Sequence, residues 1–308
     1  IFNSNISVDE GASLRVNDGT VNKINLSGSA HLSVSGGTVK NLTVNGGSTQ
    51  ITGGTFENIT VLNGKTVGDL LDGYALQGAD GTLVNMYTEK ITQTVSVVEH
   101  THNLGGIGTC ACGYEEKAVD SDNDGSVEIR TAKQLQWFAH QINGGKTLDA
   151  VLANDIDLNG ESVIIGTKAN PFKGKFDGKG AKITNYALTV SGNNQGLFGV
   201  VSGGEVRDFT VSGTIAVNSA YTHIGGAVGN AKGNALISGI VSSVNISGSG
   251  AAKHIGGVLG SSEKLSGTLT VEKCIYNGTI NLPNVSDCLG GVVGYANEFV
   301  TISHCGFT

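Results

Sequence analysis

The chain has 308 residues, enough for two domains, and its 48 glycines go with only 15% charged residues. Hydrophobic residues make up 39% of the sequence, which excludes a disordered linker, and the many β-branched residues predict an all-β fold. The net charge of −7 excludes nucleic acid and anionic membrane surfaces as partners. Because the chain starts at Ile1 rather than Met and has no apolar run of about 18 residues, we expect an excised piece of a longer protein, without membrane insertion.

Short repeats open the sequence. A threonine recurs at Thr20, Thr38 and Thr55, in steps of 18 and 17 residues, and each copy continues with alternating apolar side chains. Alternation turns one face of a strand inward, and stacked copies bury a face that one copy alone cannot bury. We therefore predict a short-repeat β-solenoid-like domain over residues 1–98, in which the non-repeating segment 65–98 closes the stack.

Two histidines and two cysteines follow this domain within 13 residues: His100, His102, Cys110 and Cys112. Imidazole nitrogens and thiolates are ligands of tetrahedral zinc, and the closing Cys-Gly pair resembles the second half of a zinc knuckle. The cysteines are one residue closer together than in the common C-x-x-C pair. The segment therefore predicts either a zinc site or a loop with a free or vicinal pair of cysteines.

An acidic loop comes next, with Asp120, Asp122 and Asp124 at loop positions 1, 3 and 5 and Glu128 at position 9. EF-hand calcium loops use this spacing, but position 12 is Thr131, where they need a bidentate Glu. The alternative is a solvated acidic turn. We predict that residues 99–130 form a linker carrying these two candidate metal-binding loops, one for zinc and one for calcium.

One segment has helical spacing. Leu135, Phe138 and Ile142 recur on one face of residues 131–143, Thr131 is a suitable N-cap, and a Gly-Gly pair follows. An uncovered end of a parallel stack exposes apolar side chains and unpaired strand edges. We therefore predict a short capping helix at the start of the C-terminal domain, with these three side chains turned inward.

Longer repeats fill the C-terminal domain, residues 131–308. Their last glycines are Gly199, Gly229, Gly260 and Gly294, in steps of 30, 31 and 34 residues. A second strand follows the same period, so its equivalent residues should stack about 4.8 Å apart inside a parallel coil. The side chains predicted to form this inner column are Phe209, Ile240, Cys274 and Cys305. We expect the two cysteines of the column to be buried and reduced.

The same period aligns polar side chains. His223, His254 and Cys288 each lie two residues before the paired glycines of their repeats, so they should form a ladder on adjacent coils. Because the next residues along the chain take the inward positions, alternation favours a solvated, outward-facing ladder over a metal site.

The segment from Asn194 to Gly213, N-Q-G-L-F-G-V-V-S-G-G-E-V-R-D-F-T-V-S-G, resembles the GLUG repeat of bacterial surface proteins. GLUG repeats are similar to those beside the catalytic part of IgA1-specific metalloproteases. Residues 154–158 and 172–185 resemble the segments that usually precede the first copy, so the resemblance covers about residues 127–308. It implies a right-handed parallel β-helix on a bacterial cell surface. It does not imply protease activity, and none of the seven histidines lies in an H-E-x-x-H pattern.

Together these observations favour a non-catalytic, secreted module that acts as an adhesive or stalk region of a larger bacterial cell-surface protein. We expect a monomer whose partners are host or neighbouring-cell glycans or matrix proteins. The alternative is a carbohydrate-active β-helix enzyme, or an accessory domain of a surface protease. The acidic side chains considered for catalysis are Asp155, Asp157, Asp177 and Asp208. A cleft with two carboxylates and a nearby Arg would favour the enzyme.

Overall fold

A computed structural model describes residues 2–103, 110–263, 267–297 and 300–308. The chain divides into two compact units, unit 1 (residues 2–103 and 110–115) and unit 2 (the described residues from 116 to 308). This division differs from the expected linker over 99–130, because both parts of that segment pack into a unit. Cys110 and Cys112 belong to the apolar core of unit 1, whereas Ala118 and Ile129 belong to the core of unit 2.

Unit 1 is a mixed sheet of eight strands. Its strands are β1 (Phe2–Val8), β2 (Ser13–Val16), β3 (Thr20–Val34), β4 (Thr38–Ile51), β5 (Thr55–Val61), β6 (Tyr74–Gly78), β7 (Lys90–Ile91) and β8 (Val95–Glu99). The order is β1-β3-β4-β5-β8-β6, with β2 beside β3 and β7 beside β5. Strands β1 to β5 pair in parallel, whereas β7 and β8 run antiparallel to β5.

The pairing register of unit 1 follows the sequence repeat. Thr20, Thr38 and Thr55 pair across β3, β4 and β5, which confirms the predicted stack. The buried columns beside them are Val21–Val39–Phe56, Ile24–Leu42–Ile59 and Leu26–Val44–Val61. Each of these side chains contributes about 1.5–3 kcal/mol by leaving water. The antiparallel strands β7 and β8, together with a 3₁₀ helix at Val67–Leu70, follow the last parallel strand and end the stack.

Unit 2 contains one α-helix, α1 (Ala132–Asn143), among its described residues. Its strands are β9 (Ser126–Ile129), β10 (Asp149–Leu152), β11 (Ile156–Asp157), β12 (Lys175–Asp177), β13 (Lys182–Thr189), β14 (Phe198–Ser202), β15 (Glu205–Arg207), β16 (Thr210–Ala216), β17 (Thr222–Gly225), β18 (Val228–Lys232), β19 (Leu236–Ser238), β20 (Val241–Ser247), β21 (Lys253–Gly256), β22 (Leu259–Glu263), β23 (Leu269–Glu272), β24 (Ile275–Tyr276), β25 (Ile280–Asn281), β26 (Asp287–Gly290), β27 (Val293–Tyr295), β28 (Val300–Ser303) and β29 (Gly306–Phe307).

These strands form four parallel sheets. Sheet I has the order β28-β23-β19-β15-β12-β10-β9, and sheet II has the order β11-β13-β16-β20-β24-β29 with β25 beside β20. Sheet III is β17-β21-β26, and sheet IV is β14-β18-β22-β27. From β15 to β27, the chain visits sheets I, II, III and IV in that order on every turn. Unit 2 is therefore a parallel β-helix, as the repeat period predicted.

The predicted inner column lies inside the coil. Phe209, Ile240 and Cys274 are almost fully buried, and Cys305 on the last described rung is half-buried. Backbone hydrogen bonds connect successive members of the column, because the residue after each member donates to the member on the coil before. For example, Ile275 N, directly after Cys274, donates to Ile240 O at 2.9 Å. The column thus has the rung-to-rung contact that the period of the repeats implied.

The glycines of the repeats are required by close backbone packing between coils. A Cβ added to Gly260 would lie 2.6 Å from the carbonyl oxygen of Gly229 on the preceding coil. Contacts that short essentially do not occur, so any other residue would push neighbouring coils apart. The G-G-x-x-G pattern therefore marks where sheet IV passes close to its neighbours.

Helix α1 begins and packs as the sequence predicted. The Thr131 hydroxyl accepts a hydrogen bond from Gln134 N at 3.2 Å, which caps the first turn. Leu135, Phe138 and Ile142 are buried, and the Phe138 ring centroid lies 6.1 Å from those of both Phe172 and Phe176. The helix therefore covers the aromatic side chains of the first coil.

Candidate functional site

The two halves of the candidate zinc motif meet in unit 1. His100 directly follows β8, and its N–H donates to Gly73 O at 3.0 Å. Cys112 is held on the opposite side of the loop, where its carbonyl accepts from Met86 N at 3.0 Å. These backbone hydrogen bonds bring together two pairs of side chains that are ten residues apart in the chain.

The four side chains lie close enough together to bind one metal ion. One ligand atom from each of His100, His102, Cys110 and Cys112 lies within 4.8 Å of the other three. His100 Nε2 is 3.1 Å from Cys110 Sγ, and His102 Nδ1 is 3.3 Å from Cys112 Sγ. Bonds of about 2.0–2.3 Å to zinc give a tetrahedron with edges of about 3.3–3.8 Å. The set therefore fits a Cys₂His₂ site with only small adjustments.

The surroundings of the sulfur and nitrogen atoms are mostly apolar. Burial raises the pKa of the Cys112 thiol to about 11. Burial also opposes ionisation of Cys110, but N–H groups directed at its sulfur, first that of Cys112, bring the pKa of this thiol below its usual value. Burial and the neighbouring His100 lower the pKa of His102, which keeps its ring neutral and available as a ligand.

Sequence reasoning missed the aromatic support of this cluster. The Tyr114 ring stacks on His102 with centroids 4.1 Å apart, and Tyr87 contacts Tyr114 at 5.7 Å. Gly113 adopts φ +89°, and a Cβ there would overlap the Asn85 side chain. The aromatic residue directly after the Cys-Gly pair, Tyr114, is the one signal in the sequence from which this packing could have been predicted.

The structure brings together three of the four calcium candidates, in unit 2. Carboxylate oxygens of Asp120, Asp122 and Asp124 lie within 4.8 Å of one another. They accept hydrogen bonds from N–H groups of their own loop; for example, Asp120 Oδ2 accepts from Gly125 N at 2.9 Å. Glu128 instead accepts from Ser121 N and Oγ at 2.9 and 2.8 Å, and the Ser121 hydroxyl lowers the pKa of its carboxyl.

Two of the carboxylates considered for catalysis accept backbone hydrogen bonds. Asp155 Oδ1 accepts from Lys182 N, and Asp157 Oδ1 accepts from Asn159 N, both at 2.8 Å. The Asn159 N–H and the Asn185 amide lower the pKa of Asp157, so this group is an unsuitable general acid.

An ion cluster that the sequence did not reveal surrounds Arg207 on sheet I. Its guanidinium contacts Asp177 and Glu205, each at 2.8 Å, and Asp208 at 3.5 Å. Lys179 also contacts Asp177, at 3.1 Å. Asp177 and Arg207 are thirty residues apart but pair in register across β12 and β15, which sequence spacing alone did not disclose.

Comparison with known proteins gives one partial similarity. A stretch of 135 residues, 39% of this chain, is 31% identical to a protein of Evansella cellulosilytica named "Putative Gly-rich membrane protein", and it covers 15% of that protein. No family model matches the chain, and no solved structure matches it. Among the described residues, no helix has both the length and the apolar composition needed to cross a membrane.

Proposed function

We propose that this chain is a non-catalytic module of the GLUG-repeat type, which acts as an adhesive or stalk region of a larger bacterial cell-surface protein. The observation that carries the proposal is the ladder of polar side chains on the outer face of sheet II. Ser212 pairs with Ser243, whose hydroxyl donates to Asn277 on the next coil. Two residues further along each coil, Asn245 Oδ1 accepts from the Thr279 hydroxyl at 2.8 Å.

Such a surface suits repeated weak contacts more than chemistry. Short hydroxyl and amide side chains offer hydrogen bonds to glycans or matrix proteins, and many copies on one cell would multiply slight affinities by avidity. The rigid coil beneath them also serves to hold another domain away from the cell. The similarity to a named membrane protein supports an association with the bacterial envelope, and we propose an extracellular position there.

The second candidate function is a carbohydrate-active enzyme, and the Arg207 cluster favours it, because it places two carboxylates, the pair that glycosidases use, beside an arginine. Against it, Asp177 is already paired with Arg207 and Lys179, and Glu205 with Arg207. Carboxylates neutralised in this way are poorly suited to donate or abstract a proton. The cluster therefore serves the packing of sheet I in our proposal.

The experiment is a screen of the purified chain for turnover of pectins, host glycans and immunoglobulin, together with a glycan and matrix-protein binding array. We expect no turnover. Binding would support the adhesive role, and neither binding nor turnover would support the stalk role. Turnover that Arg207→Gln abolishes, or that Asp155→Asn or Asp157→Asn abolishes, would instead establish the enzyme.

We further infer that His100, His102, Cys110 and Cys112 bind one structural zinc ion. All four tetrahedral positions would be filled by protein atoms, which is typical of zinc sites that stabilise a fold and not of catalytic ones. The ion would also compensate for the burial of the Cys112 sulfur atom, because coordination replaces the thiol proton that burial otherwise retains there.

The zinc inference is tested by metal analysis and stability measurements. Protein purified without chelator should carry about one tightly held equivalent, lost in the Cys110→Ser/Cys112→Ser double variant. Cys305→Ser is the matched control, because this half-buried cysteine belongs to unit 2. Hydrogen exchange after chelation should accelerate in unit 1 alone. Absence of metal would contradict the inference and favour the alternative, a loop with free cysteines.

A further inference from the structure

A second group of metal-ligand side chains lies on unit 2, at the second residue of each strand of sheet III. One residue per coil occupies this position, Asn194 occupies the equivalent position on the preceding coil, and all four have left-handed backbone conformations. They are Asn194 (φ 57°), His223 (φ 63°), His254 (φ 55°) and Cys288 (φ 45°). Side chains other than glycine rarely adopt this conformation, and strained positions of this kind concentrate at functional sites. Its repetition places the four side chains in one column.

The imidazole of His254 is held rigidly in this column. Its ring stacks between those of His223, with centroids 5.0 Å apart and planes 13° apart, and Tyr295, at 4.3 Å and 11°. At the other end of the column, His223 Nδ1 is 2.8 Å from Asn194 Oδ1. The orientation of the His254 ring is therefore fixed before any ligand arrives, which lowers the entropic cost of binding.

One nitrogen of this fixed ring is unsatisfied. His254 Nδ1 is buried and has no hydrogen-bond partner among the described residues, whereas Nε2 is 3.5 Å from Asp287 Oδ2. Nε2 is therefore the ring nitrogen that faces the Asp287 carboxylate and can serve as a metal ligand. The ladder predicted from the sequence is therefore half-buried and not fully solvated.

Two further ligands lie beside this ring. One ligand atom from each of His254, Asp287 and Cys288 lies within 4.8 Å of the other two. The Asp287 carboxylate lies between the other two groups, because its second oxygen, Oδ1, is 3.1 Å from Cys288 Sγ. The carboxylate thus reaches both other groups, through a different oxygen for each, and all three side chains are close enough to share one ion.

We propose that His254, Asp287 and Cys288 bind a zinc ion whose fourth position is open to solvent. In the metal-free protein the Cys288 thiol donates a hydrogen bond to Asp287. When zinc binds, a Zn–S bond replaces the S–H bond and the thiol proton passes to solvent. The Asp287 side chain is 49% exposed, so water or a donor atom of another molecule can complete the tetrahedron. Such an open site differs from the closed set of unit 1.

The test is a cobalt(II) titration of the full chain in the Cys110→Ser/Cys112→Ser background, which removes the other candidate site. We expect one equivalent to bind with a thiolate-to-cobalt charge-transfer band, and zinc to displace it. Cys288→Ser should abolish the band. His254→Gln and Asp287→Asn should each weaken binding by about tenfold or more, as removal of a coordinating or supporting group does.

Controls separate loss of the site from loss of the fold. Cys305→Ser removes another half-buried thiol of unit 2 and should leave the band unchanged. Fluorescence of the single tryptophan, Trp137 in α1, should report the same unfolding midpoint in all variants without metal. No band in the background protein, or a band that survives Cys288→Ser, would overturn the proposal.

Discussion

The two units solve the same problem, the end of a parallel stack, in different ways. Unit 1 ends its stack with strands β7 and β8, which reverse direction against β5. Unit 2 covers its first coil with helix α1, whose Phe138 packs on two phenylalanines of the coil. A reversed strand satisfies backbone groups at an edge, whereas a helix buries apolar side chains at an end.

The difference teaches that the mixed sheet of unit 1 and the coil of unit 2 need different closures. In unit 1 the last parallel strand presents an edge that β8 extends by hydrogen bonds, and Cys110 and Cys112 pack into the core of the same unit. In unit 2 the first coil presents a cluster of aromatic rings, which strands cannot cover from the end. The far rung of unit 2, with Leu289, Ile302 and Phe307, remains exposed.

The largest expected effect breaks the helical closure. Phe138→Ala should lower the free energy of unfolding of unit 2 by about 3–5 kcal/mol, because it leaves a cavity against Phe172 and Phe176. Hydrogen-exchange mass spectrometry should show faster exchange in unit 2 and unchanged exchange in unit 1. His140→Ala, on the exposed face of the same helix, is the control. Equal destabilisation by the two variants would contradict a capping role for α1.

A second substitution tests the close packing of coils. Gly260→Ala should cost unit 2 about 1–3 kcal/mol, because the new methyl group meets the Gly229 carbonyl. Gly192→Ala is the matched control, since the nearest neighbouring atom there is 3.4 Å away. Denaturant titration followed by Trp137 fluorescence measures both variants. A Gly260→Ala protein as stable as the control would show that the coils separate without cost.

A smaller effect distinguishes the thiols of the two units. Burial raises the pKa of Cys274 in unit 2 from 9.0 to about 12. The unfolded chain therefore loses this proton at lower pH than the folded chain, so the contribution of Cys274 to stability is complete below pH 9.0 and declines up to about pH 12. In Cys274→Ala, the free energy of unfolding measured by denaturant titration should decline less between pH 9.0 and about pH 12.

Thiol labelling extends the same comparison. Native Cys274 should resist alkylation with or without chelator, whereas Cys110 and Cys112 should become reactive once a chelator removes metal from unit 1. Rapid alkylation of Cys274 in native protein would show that the inner column is open to solvent. A mass lower by two hydrogens would show that Cys274 is oxidised to a disulfide with Cys305.

The smallest expected effect concerns the acidic loop of unit 2. Asp122→Asn should change the stability of unit 2 by less than about 0.5 kcal/mol without calcium, as exposed substitutions usually do. If the loop binds calcium, millimolar calcium should raise the melting temperature of the natural protein but not of the variant. Identical calcium responses of the two proteins would leave the solvated acidic turn as the explanation.

Much of the fold could be predicted from periodicity. The Thr20, Thr38 and Thr55 repeat gave the register of unit 1, and the spacing of Leu135 and Phe138 gave the buried face of α1. The structure of segment 99–130 was harder to predict, because the sequence of a polar loop has no periodicity that shows which core it packs into. Its cysteines pack into unit 1, where Met86, in the segment between β6 and β7, donates a backbone hydrogen bond to Cys112.

The sequence by itself determined the repeats, the inward columns and the identity of the zinc candidates, because alternation and ligand chemistry are local properties of the chain. The tertiary structure alone decided which side chains meet across coils. Arg207 reaches Asp177, and the His254 ring is held between His223 and Tyr295, because parallel register brings residues about thirty positions apart to neighbouring rungs. The same register brings ligand atoms of His254 and Cys288, on neighbouring strands of sheet III, within 4.8 Å of each other. Neither contact has a local signature, since each depends on the length of a whole coil.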